Sequence, residues 1–464
     1  MKMLKKISII ITLVLAIFIV ASCEKNGNED DNKNYVEEGA TRITVYAREF
    51  EQWARKHLEG LVNEFNKDLT DGIQVQVKFY TQDTYADALT VARENGKAPD
   101  LYMATYGELY SNIRNNNAAA VDSYLSAEAK ADIFDTALDL VTYDDKVYAY
   151  PWNLEPGSLF FYRKDVFSSL GITKVPKTWD ELLAVCAKIK PTLTRGQYCL
   201  GLPLGGIECA WATYGMQQNT TGGLALDETW KNHRLDEPGY KQLAKFFYDV
   251  YVNDYAPTAA LTAEGYTYIV DALCDEKLAM TFAGSWCIAE IYDYTNNNEE
   301  IIKNIGVAPI PTIDGDHSKI TSSNGGWCYC ISEQSKNKDK AARFLNWMLA
   351  ENTERTASYF VAAYNSKAPT TKSVKTYLDS KDSKVPNEWI NVVNDVASKG
   401  IPEAIYPFDI SLEVGKILER MQLQCKTEPF DILYGKALND AKNNIETIMQ
   451  RTTYPSNPKY KENK

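Results

Sequence analysis

The residues best equipped for chemistry in this chain are few and widely spaced. Its three histidines, His57, His233 and His317, form no helix-spaced pair, so zinc-hydrolase and histidine-triad mechanisms find no constellation here. Two carboxylates flanking a sugar bond could hydrolyse it, yet no Asp/Glu pair has a spacing that enforces that geometry. Eight cysteines follow Cys23 (Cys186, Cys199, Cys209, Cys274, Cys287, Cys328, Cys330 and Cys425) without any Cys-x-x-Cys. The spacing is not that of a zinc site, and buried thiols and one or two disulfides both stay open. What the chain has in surplus is aromatic: 30 Tyr, 15 Phe and 9 Trp. Flat apolar faces with a polar edge suit cores, and equally suit the binding of polar, ring-shaped solutes. The expectation is recognition rather than reaction: no catalytic residues, no cofactor and no metal.

Charge narrows the partner. The 464 residues carry a formal net charge of −12, and loss of Lys2, Lys5 and Lys6 with a leader would take it to −15. So acidic a chain has no electrostatic footprint for nucleic acid. The leader itself is legible. Residues 1–6 are basic, and residues 7–20 form an apolar run broken only by Ser8 and Thr12. That is short for a membrane span and right for a signal-peptide core. The run ends in Val20-Ala21-Ser22-Cys23, which resembles a bacterial lipobox. Residues 1–22 are therefore expected to be removed and Cys23 acylated, each buried methylene adding about 0.8 kcal/mol of membrane affinity. Residues 24–40, rich in Glu, Asp, Asn and Lys, read as a solvated linker.

The elements that must position a site follow. Arg42–Tyr46 reads as a strand, and Trp53, Leu58, Leu61, Val62 and Phe65 recur at helical spacing. Ile73, Val75, Val77 and Phe79 alternate as a half-buried strand. Tyr85, Leu89 and Ala92 mark a second helix before the strand Leu101–Ala104. This is βαβ grammar, hence a largely parallel α/β sheet. Ligand clefts on such sheets open at the carboxyl ends of strands, which makes Arg48, Glu49, Phe50, Thr105 and Tyr106 candidate solute contacts. Thr178-Trp179-Asp180-Glu181 is a capping-box pattern, with Trp179, Leu182, Cys186 and Ile189 on the buried face of the helix it opens. Further helices are expected near residues 240–252, 338–349, 387–398, 412–424 and 430–449, and strands at 278–282 and 305–308.

The ordered motifs together resemble the bacterial extracellular solute-binding protein family 1, the maltose-binding-protein-like receptors of carbohydrate ABC transporters. They are Ala98-Pro99-Asp100-Leu101; Phe161-Tyr162-Arg163-Lys164-Asp165-Val166-Phe167; residues 176–182; residues 278–286, ending Ala283-Gly284-Ser285-Trp286; Asn324-Gly325-Gly326-Trp327; the helix over 336–349; and Lys367-Ala368-Pro369-Thr370. The resemblance implies an α/β, two-lobed periplasmic-binding-protein-like fold with three inter-lobe crossovers, near residues 152–156, 307–311 and 358–364. Residues 41–153 plus 310–358 would form the first lobe, and 154–309 plus 359–464 the second. It further implies a monomeric receptor, exported and lipid-anchored at the cell surface or in the periplasm. Such a receptor closes on a sugar and delivers it to an ABC permease, without turnover. By matching position, Trp286 would stack on a sugar ring, and Trp152 and Glu155 would reach the solute from the first crossover. Trp211, Asn324, Gly325, Trp327, Tyr406 and Phe408 would line the cleft. A receptor for a phosphodiester (through Arg48) or a polyamine is the rival, and a glycan-acting enzyme a more distant one.

Overall fold

A computed structural model describes residues 39–49, 52–67, 71–202, 210, 212–221, 225–257, 265–319, 321–402, 408–451, 457 and 459–460. Strand β1 (Thr41–Glu49) is followed by helix α1 (Gln52–Lys67), β2 (Ile73–Thr81), α2 (Gln82–Glu94), β3 (Leu101–Thr105) and α3 (Tyr106–Arg114). β1 pairs in parallel with both β2 and β3, as the alternating and helical apolar patterns require. Ile43, Val45 and Ala47 of β1 are buried, and so are Leu58, Leu61, Val62 and Phe65 of α1.

A small hairpin, β4 (Thr142–Tyr143) with β5 (Lys146–Val147), leads into β6 (Tyr150–Pro156). β7 (Leu159–Arg163), β8 (Tyr198–Gly201), β9 (Leu278–Ala283) and β10 (Ile305–Ala308) build a second sheet in the order β10-β7-β9-β8. β11 (Ser323–Ile331), β12 (Ala368–Pro369) and β13 (Ile401–Pro402) return to the first. That sheet has seven strands in the order β12-β6-β11-β3-β1-β2, with β13 beside β11. The fold is therefore α/β with two mixed sheets rather than the largely parallel sheet expected, because β11 runs antiparallel to β3 and β6, and β7 to β9 and β10. Of the helices on the second sheet, α4 (Trp179–Ile189) begins at the expected capping box, Thr178 accepting from Glu181 N and the Glu181 side chain from the Thr178 amide. Its face of Trp179, Leu182, Cys186 and Ile189 is buried, each such side chain contributing about 1.5–3 kcal/mol.

Two passages between sheets differ in position from the sequence expectation. The first falls at Gly157–Ser158, after the expected boundary at 153/154. Leu154, Glu155 and Pro156 still face Gly326, Gly325 and Asn324 of β11, so the strand holds to its sheet for its whole length. The last differs more. Among the remaining helices, α5 (Tyr214–Thr221), α6 (Pro238–Val252), α7 (Gly265–Cys274) and α8 (Cys287–Tyr294) belong to the second sheet's part of the chain, and α9 (Lys338–Leu349) follows β11. Then α10 (Thr353–Ala362) packs on α1, and α11 (Lys372–Asp379) packs on α10. After α12 (Asn387–Lys399), β13 pairs with β11. Of the helices that follow β11, α13 (Phe408–Gln424) and α14 (Phe430–Met449) are the ones that join α5 in packing on α6. Residues 359–402, expected with the second lobe, thus lie with the first sheet, because β12 and β13 are hydrogen-bonded to its strands.

The described cysteines, Cys186, Cys199, Cys274, Cys287, Cys328, Cys330 and Cys425, are buried free thiols. Among the described residues no helix is long and apolar enough to cross a membrane.

Gly326 lets β6 and β11 approach. Its φ is +123°, and a Cβ there would sit 2.2 Å from Asn153 O. Gly326→Ala is expected to cost about 2–4 kcal/mol, from left-handed strain plus overpacking. Gly435→Ala, in α14 with nothing within 4 Å of its added Cβ, is expected to add about 0.5–1 kcal/mol through helix propensity. Urea titration of both variants checks the contrast.

Candidate functional site

The carboxyl ends of β1, β3 and β6 lie at one end of the first sheet, since β6 and β3 both run antiparallel to β11. The carboxyl end of β9 meets them. Ser285, two residues past β9, donates its amide to Pro156 O at 2.9 Å. The passage itself is pinned from both sides. Gly157 N donates to Ser323 O at 2.9 Å, Ser158 N to Ser322 Oγ at 2.9 Å and Ser158 Oγ to Ala212 O at 2.5 Å. A candidate cleft is thus built from strand ends of both sheets around residues 156–158.

Arg48, at the end of β1, is buried and paired with Glu108 at 2.5 Å. Its guanidinium lies over Tyr85 at 4.5 Å and over Trp327 at 4.9 Å, a stacked geometry that the planar cation favours. Glu49 accepts from Arg55 at 3.2 Å. Thr105 caps α3: its hydroxyl accepts from Glu108 N at 3.1 Å, and Glu108 Oε2 accepts from Thr105 N at 2.9 Å. Tyr106 is buried and donates its hydroxyl to Asn153 O at 3.0 Å. Trp327 faces Thr105 across β3 and Asn153 across β6. These expected solute contacts are therefore engaged within the protein.

The same holds along β6 and β11. Asn324 donates to Ala397 O at 2.6 Å and Gly400 O at 3.2 Å, satisfying carbonyls left open at the end of α12. Gly325 lies opposite Glu155. Glu155 is buried and forms an ion pair with buried Lys367. The Lys367 ammonium also lies 5.8 Å from the Trp53 ring. Trp152 is half-buried, stacked obliquely on Tyr359 at 4.1 Å and 5.2 Å from Tyr329. Trp53 joins Tyr359 at 5.4 Å. Close by, His57 bonds Ser358 Oγ at 2.8 Å, and burial pushes its pKa down to about 4.

Trp286 stands at the N-cap of α8 and is half-buried. Its indole lies over Gly284: a Cβ on that glycine would fall 2.0 Å from the ring. The ring's orientation is thereby set by the backbone beneath it. Beside it, buried Ser285 Oγ has no hydrogen-bond partner among the described residues. Phe50, Trp211, Tyr406 and Cys23 lie outside the described residues, and Phe408 opens α13.

Glu108 and Lys367 are further members of this region. The Thr105-x-x-Glu108 spacing is a visible capping signal. Lys367 and Glu155 are separated by 212 residues, and no local pattern links them.

Residues 54–353 match the family described as bacterial extracellular solute-binding protein. The chain is 26% identical over 201 residues to the osmoprotective compounds-binding protein GgtB of Synechocystis sp., covering 42% of this chain and 44% of that protein. It spans about half the length of the curated relatives it matches. A solute-binding protein of Thermotoga lettingae bound with alpha-D-tagatose has a similar fold, with TM-score 0.69 at 22% identity, over 88% of this chain and 100% of that one. Maltose-bound MalE3 of T. maritima is similar too, with TM-score 0.70 at 18% identity, over 87% and 100%. Likeness at this identity shows the fold, a two-lobed maltose-binding-protein-like architecture.

The Glu155–Lys367 pair carries a stability prediction. Lys367→Met takes the ammonium away from a buried carboxylate and is expected to cost about 3–5 kcal/mol. Adding Glu155→Gln removes that buried charge and recovers most of the loss. Urea denaturation of both single variants and the double variant measures the coupling.

Proposed function

Because the chain belongs to the bacterial extracellular solute-binding protein family, we propose that it captures a neutral sugar between its two lobes and delivers it to an ABC importer. One observation carries this reading. The charged groups that the strand ends and first passage present are neutralised internally, as Arg48–Glu108, Glu49–Arg55 and Glu155–Lys367. A cleft so balanced offers an ionic solute little net attraction. A neutral polyol instead meets polar groups together with the half-buried indoles of Trp286, Trp152 and Trp53. The sugars bound by the structural neighbours agree with this choice, whereas the osmoprotective compounds of the sequence relative leave the solute class wider.

The rival solutes lose their support in the same geometry. Arg48, the grip for a phosphodiester, is stacked between two rings and held by Glu108. Glu155, a partner for a polyamine, is held by Lys367. Closure works by population shift: a solute touching both lobes stabilises the closed form by its differential contacts. The permease would read that form. The receptor acts as a monomer, exported and tethered through an acylated Cys23, with no turnover of the sugar.

Two experiments test the proposal. Stacking and burial of one ring face supply on the order of 1–3 kcal/mol, so Trp286→Ala is expected to weaken the best sugar from a thermal-shift screen roughly tenfold to hundredfold. Trp286→Phe loses less, because a smaller aromatic face survives. Calorimetry showing equal affinity for wild type and a folded Trp286→Ala would remove Trp286 from the site. For the tether, Cys23→Ser is expected to release the protein from membranes. Detergent-phase partitioning of the variant as a lipid-modified species would overturn the anchor.

A further inference from the structure

A cavity of about 690 Å³ lies between α10, α11 and α12 and reaches Lys367 and Pro369 beside β6. Its size falls within the range of roughly 300–1,000 Å³ typical of small-molecule sites. One wall is a stripe of α12. Asn387, Ile390, Asn391 and Asn394 face the cavity at i, i+3, i+4 and i+7, while Trp389, Val393, Val396 and Ala397 of the same helix are buried. The three asparagine carboxamides make no hydrogen bond among the described residues. Asparagine is a poor helix former, so three in eight residues weaken α12 with no capping or packing return.

The charge of the cavity is opposite to that of the chain. Lys367 is spent on Glu155 and Lys375 on Asp379. Lys381 lies over the Tyr377 ring at 4.7 Å. Neither it nor Lys384 has a carboxylate partner among the described residues, and Asp382 is the lone uncommitted acid of the lining. Hydrogen bonds tie the cavity floor to neighbouring segments. Tyr292 donates its hydroxyl to Lys384 O at 3.0 Å, and Asn365 donates to Ser383 Oγ at 3.0 Å.

We propose that this cavity is a second solute site, distinct from the cleft, for a small anionic, hydroxyl-rich ligand of the sugar-acid class. The carboxamides of Asn387, Asn391 and Asn394 each offer donors and an acceptor to hydroxyl groups. The Lys381 and Lys384 ammonium groups supply charge-assisted bonds to a carboxylate. The aliphatic faces of Ile390 and Leu378 take the carbon backbone. The inference is independent of what the cleft binds.

The test is calorimetry on the full chain with gluconate as the probe and glucose as its neutral control. Gluconate is expected to bind saturably and at least about tenfold tighter than glucose. Lys384→Glu and Asn391→Leu, both at exposed positions, are expected to weaken it by about tenfold or more, with circular dichroism unchanged. Trp286→Ala is expected to leave gluconate affinity as it is. Absence of saturable gluconate binding overturns the site. Gluconate binding lost in Trp286→Ala but kept in both cavity variants assigns it to the cleft and also overturns the site. Glucose binding as tightly as gluconate overturns the ligand class.

Discussion

The arrangement depends on one short crossing, where Pro156, Gly157 and Ser158 leave the first sheet and enter the second. In four hydrogen bonds this crossing holds Ser322 and Ser323 of the returning chain, Ala212 ahead of α5, and Ser285 after β9. Segments far apart in sequence are thereby brought within bonding distance of three consecutive residues. Every strand end that could touch a solute is placed relative to this knot. The proposed closure would have to bend the chain here, with the bonded neighbours moving along with it.

The second constraint is electrostatic. Charges close to the knot are set in pairs, and the most buried of them, Glu155–Lys367, joins β6 to the segment ahead of β12. Desolvating two charges costs several kcal/mol, which their mutual attraction offsets only in good geometry. Such a pair is poor evidence for extra stability. It is better understood as fixing which segment lies against β6, since either charge alone would be costly there. The same pairing leaves the strand ends close to neutral, and this directs the functional reading toward uncharged solutes.

Local chemistry made much of the scaffold legible. Alternation in residues 73–79 and helical spacing from Trp53 to Phe65 gave β2 and α1, because a half-buried strand and an amphipathic helix impose different periods on the same apolar residues. Thr178 and Glu181 gave the start of α4, since capping is a contact between neighbours in sequence. The order of motifs gave the family and the two-lobed fold. Trp286 was legible through the motif Ala283-Gly284-Ser285-Trp286, and the structure adds that Gly284 is the surface on which the indole lies.

Partnership was not legible, because it is settled between residues far apart in the chain. Thr105, Tyr106 and Asn324 look like free polar groups at strand ends. Folding gives them a helix cap, the Asn153 carbonyl and the end of α12 to satisfy. Arg48 looks like an anion grip until Tyr85, Trp327 and Glu108 close around it. The last passage between sheets was misplaced for the same reason: a two-residue strand such as β13 has no periodicity to detect and exists only because β11 offers it hydrogen bonds. The sequence by itself determined the longer elements, written in short-range pattern, and the family with its two-lobed fold, written in the order of its motifs. Tertiary structure alone decided which polar and charged groups are already spoken for, because a buried group must find its partner wherever the fold brings one.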